Sequence, residues 1–381
     1  MALQIKTRKL KDRSFDNWKS QVEDHWNYKD FLADQGWRRD WISFDSLCYI
    51  KDNDTVYAGI TSFDADIFWG FDHRQKKFVS TGYQRVADPF DAKFHRSLIH
   101  YEGCLYGAIA LLHDVDHYWD APGGAIVRYE PKTGHLEKIG IPIPHVYIQS
   151  IVLDEKRGVI YGQTFTPERF FTFDLATRKA RDLGSIGSGM AMGQGENLAL
   201  DDNGNVWGSW SVTRAWQSQP GVDSVRLFRY SPVKEKIEFL DTGLPQPDGA
   251  YGFAKLESFF NFGTGCLYAS GANGSLYRID PKTGKATYLF TPIHDRRSRL
   301  ASMTLAADGF AYGVTGRDGR CELLRFDPRK EDYQLLGEIR DEHGISCWQV
   351  HDIVALPDGT LYAGENDVPT RSGYLWEITL T

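Results

Sequence analysis

The sequence predicts an all-β fold, a seven-bladed β-propeller whose last blade is closed by an N-terminal strand, with a short helical segment near the N-terminus. Three observations carry that expectation. An aromatic residue followed by a small one recurs from residue 42 onward, at Tyr57-Ala58, Tyr106-Gly107, Tyr161-Gly162, Trp207-Gly208, Tyr268-Ala269, Tyr312-Gly313 and Tyr362-Ala363. A turn signature follows roughly twenty residues later, as expected of a supersecondary repeat. It reads Asp72-His73-Arg74, Glu130-Pro131-Lys132-Thr133-Gly134, Asp174-Leu175-Ala176-Thr177, Ser231-Pro232, Asp280-Pro281-Lys282-Thr283-Gly284 and Asp327-Pro328-Arg329. Finally, the 14% aromatic content suits strands better than helices.

Residues 1–41 stand apart as an N-terminal extension. Leu3, Ile5 and Thr7 alternate with polar residues, which predicts a strand. Ser14 reads as a helix cap before a charged, aromatic run to about Ala33, closed by Gly36. Residues 42–381 form one propeller domain of seven repeats, each roughly 45–60 residues long with about four short strands. One blade cannot bury both of its faces, whereas a ring of blades buries them all. The seventh repeat has only three strands after residue 348, and the strand near Leu3–Lys9 supplies its fourth. An open sheet edge would otherwise invite association.

Composition narrows the function classes. The chain of 381 residues is 41% hydrophobic and 25% charged, enough for a core and a soluble surface. A net charge of -7 argues against nucleic acid or an anionic membrane as a partner. Cys48, Cys104, Cys266, Cys321 and Cys347 are odd in number and widely spaced, which fits reduced cysteines. No apolar run reaches membrane-spanning length. The start Met1-Ala2-Leu3-Gln4-Ile5-Lys6 has no apolar signal core, which reads as a cytoplasmic chain, or a secreted one if a leader precedes it.

Departures from the repeat map to the face where loops enter the innermost strands and leave the second ones. Two insertions fall there. Residues 111–123 carry His113, Asp114, Asp116, His117, Tyr118 and Trp119, and residues 211–224 carry Thr213, Arg214, Trp216 and Gln217. His95 and Arg96, His145, Tyr147 and Gln149, Glu168 and Arg169, and Glu196 and Asn197 share this rim. So do Arg297 and Arg299, Trp348, Gln349, His351 and Asp352, and Glu365, Asn366, Asp367 and Arg371. The expectation is a cationic, histidine-rich, aromatic-lined pocket. Trp119 and Trp216 are either core or a sugar-stacking platform. Asp201-Asp202-Asn203-Gly204-Asn205 resembles a calcium loop, but it lacks the distal Glu and stands where Asp308-Gly309 and Asp358-Gly359 make plain turns, so it reads as a turn.

No phosphate loop, nucleophile elbow or closely spaced zinc set stands out. His, Tyr and Arg on one face suit proton abstraction beside a carboxylate. Arg or His neutralises the carboxylate, a Tyr or His takes the α-proton, and a His or Tyr protonates the departing oxygen. β-Elimination of a uronic-acid saccharide is such a reaction.

The seven repeats, His95 with His113/His117, Tyr147 and the arginines of the third and fourth repeats resemble the seven-bladed propeller polysaccharide lyases of the ulvan lyase and rhamnosyl-glucuronate lyase type. The resemblance covers most of residues 42–381 in architecture and is motif-specific between about 95 and 217. It implies histidine roles on His95 and on His113 or His117, a tyrosine role on Tyr147, and carboxylate neutralisation by Arg169 and Arg214. His145, Trp119, Trp216, Gln349, His351, Asn366 and Arg371 complete the expected substrate-binding set. The implied partner is a uronate-containing oligosaccharide. This mechanism requires no cofactor, and a structural divalent metal ion is compatible with it. Two other readings stand beside it. One is a metal-dependent hydrolase of the sugar-lactonase type, with ligands among Glu196, Asn197, Glu365, Asn366, Asp367 and His351. The other is a non-catalytic carbohydrate- or protein-binding propeller.

Overall fold

The structure is a computed structural model that describes residues 3–15, 35–64, 66–111, 117–165, 167–187, 195–211, 225–252 and 254–380. These form seven antiparallel four-stranded blades. The second to sixth blades begin with their innermost strands at Ile99–Tyr101, Tyr147–Asp154, Ala199–Leu200, Leu256–Asn261 and Leu300–Leu305. The first begins at Ser43–Ile50 and the seventh at Val350–Ala355. Neighbouring blades contact one another around a closed ring through their innermost strands, the third doing so chiefly with the second blade's second strand, Cys104–Leu111, and the seventh meeting the first. A short extra strand, Asp91–Phe94, pairs through Lys93 with Thr61 of the first blade and along Leu111–Ile109 of the second, fusing these two blades into one sheet.

The recurring dyads explain how blades stack. Tyr57, Tyr106, Tyr161, Trp207, Tyr268, Tyr312 and Tyr362 are all buried. Several of their rings reach the third strand of an adjoining blade, as in Tyr57–Tyr129, Tyr161–Tyr230 and Tyr268–Phe326, with centroids 5.5–5.7 Å apart. The small partner is needed for approach. A Cβ at Gly208 would collide with the Phe228 ring and Leu198, and one at Gly162 with the Phe171 ring. The apolar core is accordingly divided into clusters lying between blades rather than one central mass, and this leaves the axis free for polar side chains.

The N-terminal strand, Leu3–Arg8, closes the seventh blade as expected, in register from Leu3↔Leu380 to Arg8↔Leu375. Ile5 is buried in the cluster between the sixth and seventh blades. The closure is also ionic. Glu377 takes Arg8 Nε at 2.7 Å and Lys76 Nζ of the first blade at 2.9 Å. Burial acts to raise the Glu377 carboxyl, but the pairs with Lys76 and Arg8 outweigh it, so its pKa lies below the ordinary value. A depressed folded-state pKa contributes stability that is complete above the unfolded value of about 4.3 and is lost as pH falls through the lower folded value. Acidification to about pH 3.5 is therefore expected to weaken ring closure, and Glu377→Gln to blunt that acid sensitivity. Urea midpoints at neutral pH and at about pH 3.5 read this, and equal acid sensitivity in the variant would place the responsible carboxylate elsewhere.

The helical extension expected after Ser14 falls on residues 16–34, outside the described residues. Ser14 itself forms a β-bridge with Arg371, and the Phe15 amide donates to the Thr370 carbonyl at 2.8 Å. Gly36 does not end a helix but lies inside one, Gln35–Asp40. The Arg13 guanidinium packs where a side chain on Gly36 would stand. Six residues cannot hold a helix by propensity. Trp37 and Trp41, stacked at 5.3 Å and packed on Phe63, and the Trp41 indole bonded to the Val368 carbonyl at 3.1 Å supply the tertiary support. Among the described residues no helix is long and apolar enough to cross a membrane. All five cysteines are free thiols.

Candidate functional site

The innermost strands share a sequence pattern of apolar residue, polar residue, small polar residue, apolar residue. It appears as Phe44-Asp45-Ser46-Leu47, Ile148-Gln149-Ser150-Ile151, Leu256-Glu257-Ser258-Phe259 and Val350-His351-Asp352-Ile353. In each, the strand pairing skips one residue, so Asp45, Gln149, Glu257 and His351 are the extra residues of β-bulges. A bulge leaves one residue unpaired and re-aims its side chain. Four blades thus present a polar group at equivalent places at the mouth of the axial channel. Lys93, His95 and Arg96 from the second blade, Glu196 from the fourth and Arg299 from the sixth join them.

His95, only 6% exposed, donates from Nδ1 to the Gln149 carbonyl at 2.7 Å and places Nε2 2.8 Å from Glu196 Oε2. His351, 2% exposed, donates from Nδ1 to the Asp45 carbonyl at 2.7 Å, and its Nε2 lies 3.5 Å from the same Glu196 oxygen. The two imidazole centroids are 4.8 Å apart. Gln149 Nε2 adds a hydrogen bond to that oxygen at 3.2 Å. Burial acts to raise the Glu196 carboxyl, yet the charge of His95 when it is protonated, with hydrogen bonding to the two rings, outweighs burial and holds the carboxyl well below the usual range. Burial, reinforced by Arg96 and His95, pushes His351 well below the ordinary histidine value, so its ring is neutral.

Charged groups surround this centre. Lys93 pairs with Asp45 at 3.2 Å, and Thr61 also donates to Asp45. Arg96 is buried in a left-handed backbone conformation (φ 41°) and bonds Ser258 at 2.9 Å and the Ala301 carbonyl, with its Nε unpartnered. Arg299 pairs with Glu257 at 3.3 Å and donates to Asn366 at 3.3 Å. Asp352 accepts from Ser302 and from the Leu47 amide, both at 2.7 Å. Burial raises the carboxyls of both Asp45 and Asp352. A cavity of about 340 Å³ continues along the axis, polar at Arg96, Asn197, Ser302 and Asp352 and apolar at Phe260, Phe262 and Leu305.

The expected site residues divide into groups. His95 and His351 meet directly at Glu196. Gln349 and Asn366 both donate to Asp367 Oδ2, at 3.3 and 3.2 Å, beside Arg299. Tyr147 lies within the electrostatic reach of Glu196, and burial, with Glu196 and Glu168, raises its phenol well above the ordinary value. The others engage elsewhere. His117 bonds Asp120 at 2.9 Å on an exposed loop. His145 donates to the Ala121 carbonyl and packs edge-on against Trp119, which is 76% exposed. Arg169 pairs with Asp182 across two outer strands of the third blade. Arg371 is held by Glu365 within the seventh blade. His113, Arg214 and Trp216 lie outside the described residues. The expected cationic pocket is corrected. Among the described residues Lys93, Arg96 and Arg299 face Asp45, Glu196, Glu257, Asp352 and Asp367, so carboxylates outnumber cations. The extra carboxylates stand at bulges and strand mouths that a residue count by sign does not locate. Asp45, Lys93, Glu257 and Ser302 were missed by sequence reasoning. The doublet of polar residues inside each otherwise apolar strand was the signal for Asp45 and Glu257. The Asp201–Asn205 loop is a turn, with both Asp201 oxygens taken by Asn203, Asn205 and Trp207.

Fold and site together define a seven-bladed β-propeller with a polar, histidine-bearing axial mouth. No protein-family model and no curated protein matches the sequence. Solved structures do match in shape. A streptogramin B lyase is similar over 89% of this chain and 93% of its own, with 14% identity and a TM-score of 0.61. The WD40 repeats of RRP9 are similar over 89% and 95%, with 8% identity and a TM-score of 0.58. The extracellular domain of a putative hybrid two-component system from B. thetaiotaomicron is 12% identical with a TM-score of 0.57, and the match spans 38% of its length. At these identities the likeness establishes the fold.

Proposed function

We propose that this chain is a carbon–oxygen lyase that cleaves a glycosidic bond beside a uronic acid by β-elimination, with the channel mouth as its centre. The observation that carries the reading is the gathering of three buried or half-buried cations, two imidazoles and a neutral phenol around one opening. Arg96, Arg299 and Lys93 draw the uronate carboxylate and lower the cost of the enolate-like state formed when C5 loses its proton. The base is a histidine, a role the resemblance implies for His95 and for His113 or His117. Tyr147 keeps its proton at neutral pH and gives it to the departing oxygen as the C4–O bond breaks and the C4=C5 bond forms. Two of the similar folds are named as lyases, streptogramin B lyase and virginiamycin B lyase, so this architecture hosts lyase chemistry; the uronate is inferred from the residues alone.

Incubation with glucuronate- and galacturonate-containing oligosaccharides is expected to generate the ultraviolet absorbance of the conjugated double bond. Tyr147→Phe is expected to lower that rate by about 10²–10⁴-fold. Cleavage without the double bond would replace the reaction type with hydrolysis. A second reading, a carbohydrate-binding propeller without catalysis, is favoured by the exposed Trp119 ring, flanked by Tyr118 at 4.9 Å and His145 at 5.2 Å. It predicts saccharide binding, lost in Trp119→Ala, with no cleavage of any uronate.

A further inference from the structure

We infer that His95, Glu196 and His351 bind a divalent first-row transition-metal cation, of the zinc or manganese class, at the mouth of the channel. The inference starts from proton positions. A carbonyl oxygen only accepts, so the Nδ1 atoms bonded to the Gln149 and Asp45 carbonyls carry the hydrogens of their rings. Each Nε2 in a neutral ring is then a bare lone pair. Both lone pairs converge on one carboxylate oxygen, at 2.8 and 3.5 Å. Three acceptors do not gather in a largely buried place without a positive centre among them. A proton shared between His95 and Glu196 would satisfy one contact and leave that of His351 unanswered.

The geometry suits a metal. The three ligand atoms lie within 4.8 Å of one another. Metal bonds of about 2.0–2.2 Å place neighbouring ligands about 3.0–3.5 Å apart, so modest shifts close the set. The two backbone carbonyls do what outer partners of metal-binding histidines do, fixing tautomer and ring orientation. Two imidazoles with one carboxylate select transition metals over calcium or magnesium. The Glu196 side chain is 23% exposed, so the centre opens toward the channel. Resting on the lyase reading, a uronate carboxylate is the ligand that takes the open side, where the cation would add to the neutralisation by Arg96 and Arg299.

The test uses the full chain, chelator-treated and dialysed, titrated with Co²⁺ and Zn²⁺ without substrate. One equivalent is expected to bind, Co²⁺ giving visible absorption and shifting the proton resonances of two histidines. Glu196→Gln and His351→Asn are each expected to weaken binding on the order of 100-fold while melting near the parent temperature. The histidine resonances of the unsubstituted chain give the same assignment if a variant misfolds. Absence of saturable binding, or binding unchanged in both variants, overturns the inference. A protonated His95 with no bound cobalt overturns it in favour of a shared proton. Lyase activity from metal-free protein would remove the metal and keep the lyase; a bound cation without unsaturated product would do the reverse.

Discussion

Replacing Arg371 with alanine is expected to destabilise the folded chain by about 3–5 kcal/mol, the range for stripping the partner from a buried charge. The guanidinium grips Glu365 with two hydrogen bonds, Nη1 to Oε2 and Nη2 to Oε1, both 2.7 Å, and lies 4.0 Å from the centroid of the Tyr374 ring. Glu365 is fully buried, and its carboxylate also takes the Trp348 amide at 2.7 Å and the Tyr374 amide at 2.9 Å. Those amides cannot replace a counter-ion. The carboxylate therefore ties the strand mouth at Trp348 to the start of the last strand of the ring, with Arg371 as its counter-ion. Adding Glu365→Gln to Arg371→Ala removes the stranded charge and is expected to recover part of the loss. Denaturant midpoints of the two single variants and the double variant measure the coupling. A midpoint unchanged by Arg371→Ala, with saccharide binding weakened, would return Arg371 to the substrate-binding role the sequence suggested.

Trp207→Ala is expected to cost about 3–5 kcal/mol as well, by a different route, the cavity left by a large core side chain. Trp207 is completely buried between the fourth and fifth blades. Its indole N–H donates to Asp201 Oδ2 at 2.9 Å, and Arg229 lies over its ring at 5.5 Å. Asp201 in turn holds the hairpin through the Asn203 and Asn205 amides, both at 2.9 Å. Trp207→Phe keeps most of the packing and forfeits the N–H bond, so about 1 kcal/mol is expected. Because both Asp201 oxygens are already engaged, added calcium is expected to leave the denaturation midpoint of the parent unchanged. A midpoint raised by calcium would make the loop a cation site after all.

These two residues mark how far the chain could be read on its own. Trp207-Gly208 was legible as scaffold because the same dyad recurs in every blade, and recurrence reports a demand common to all blades: an aromatic to fill the gap to the neighbour, and a small residue to permit the approach. The turns after each third strand and the strand Leu3–Arg8 were legible for the same kind of reason, local backbone chemistry and an unpaired edge that alternating residues could cover. Arg371 was not. Its charge was visible, but its partner Glu365 lies six residues back across an irregular connection within the seventh blade, whose path residue types alone do not fix, and Arg169 was likewise claimed by Asp182 on the adjoining strand.

The site divides along the same line. His95 and His351 were identifiable as rim histidines from the strand mouths they occupy. Their meeting at Glu196 was not, because it depends on three blades converging on one axis. Nor were Asp45 and Glu257, although each belongs to a visible pair of polar residues within an apolar strand. Alternation assigns faces only while the two-residue period is unbroken. An extra residue at a bulge breaks it, and only the paired register shows which of the two polar side chains turns toward the axis. Repetition and local propensity are written along the chain; the chemistry at the centre of a ring belongs to residues far apart in sequence, and closure of the ring alone brings them together.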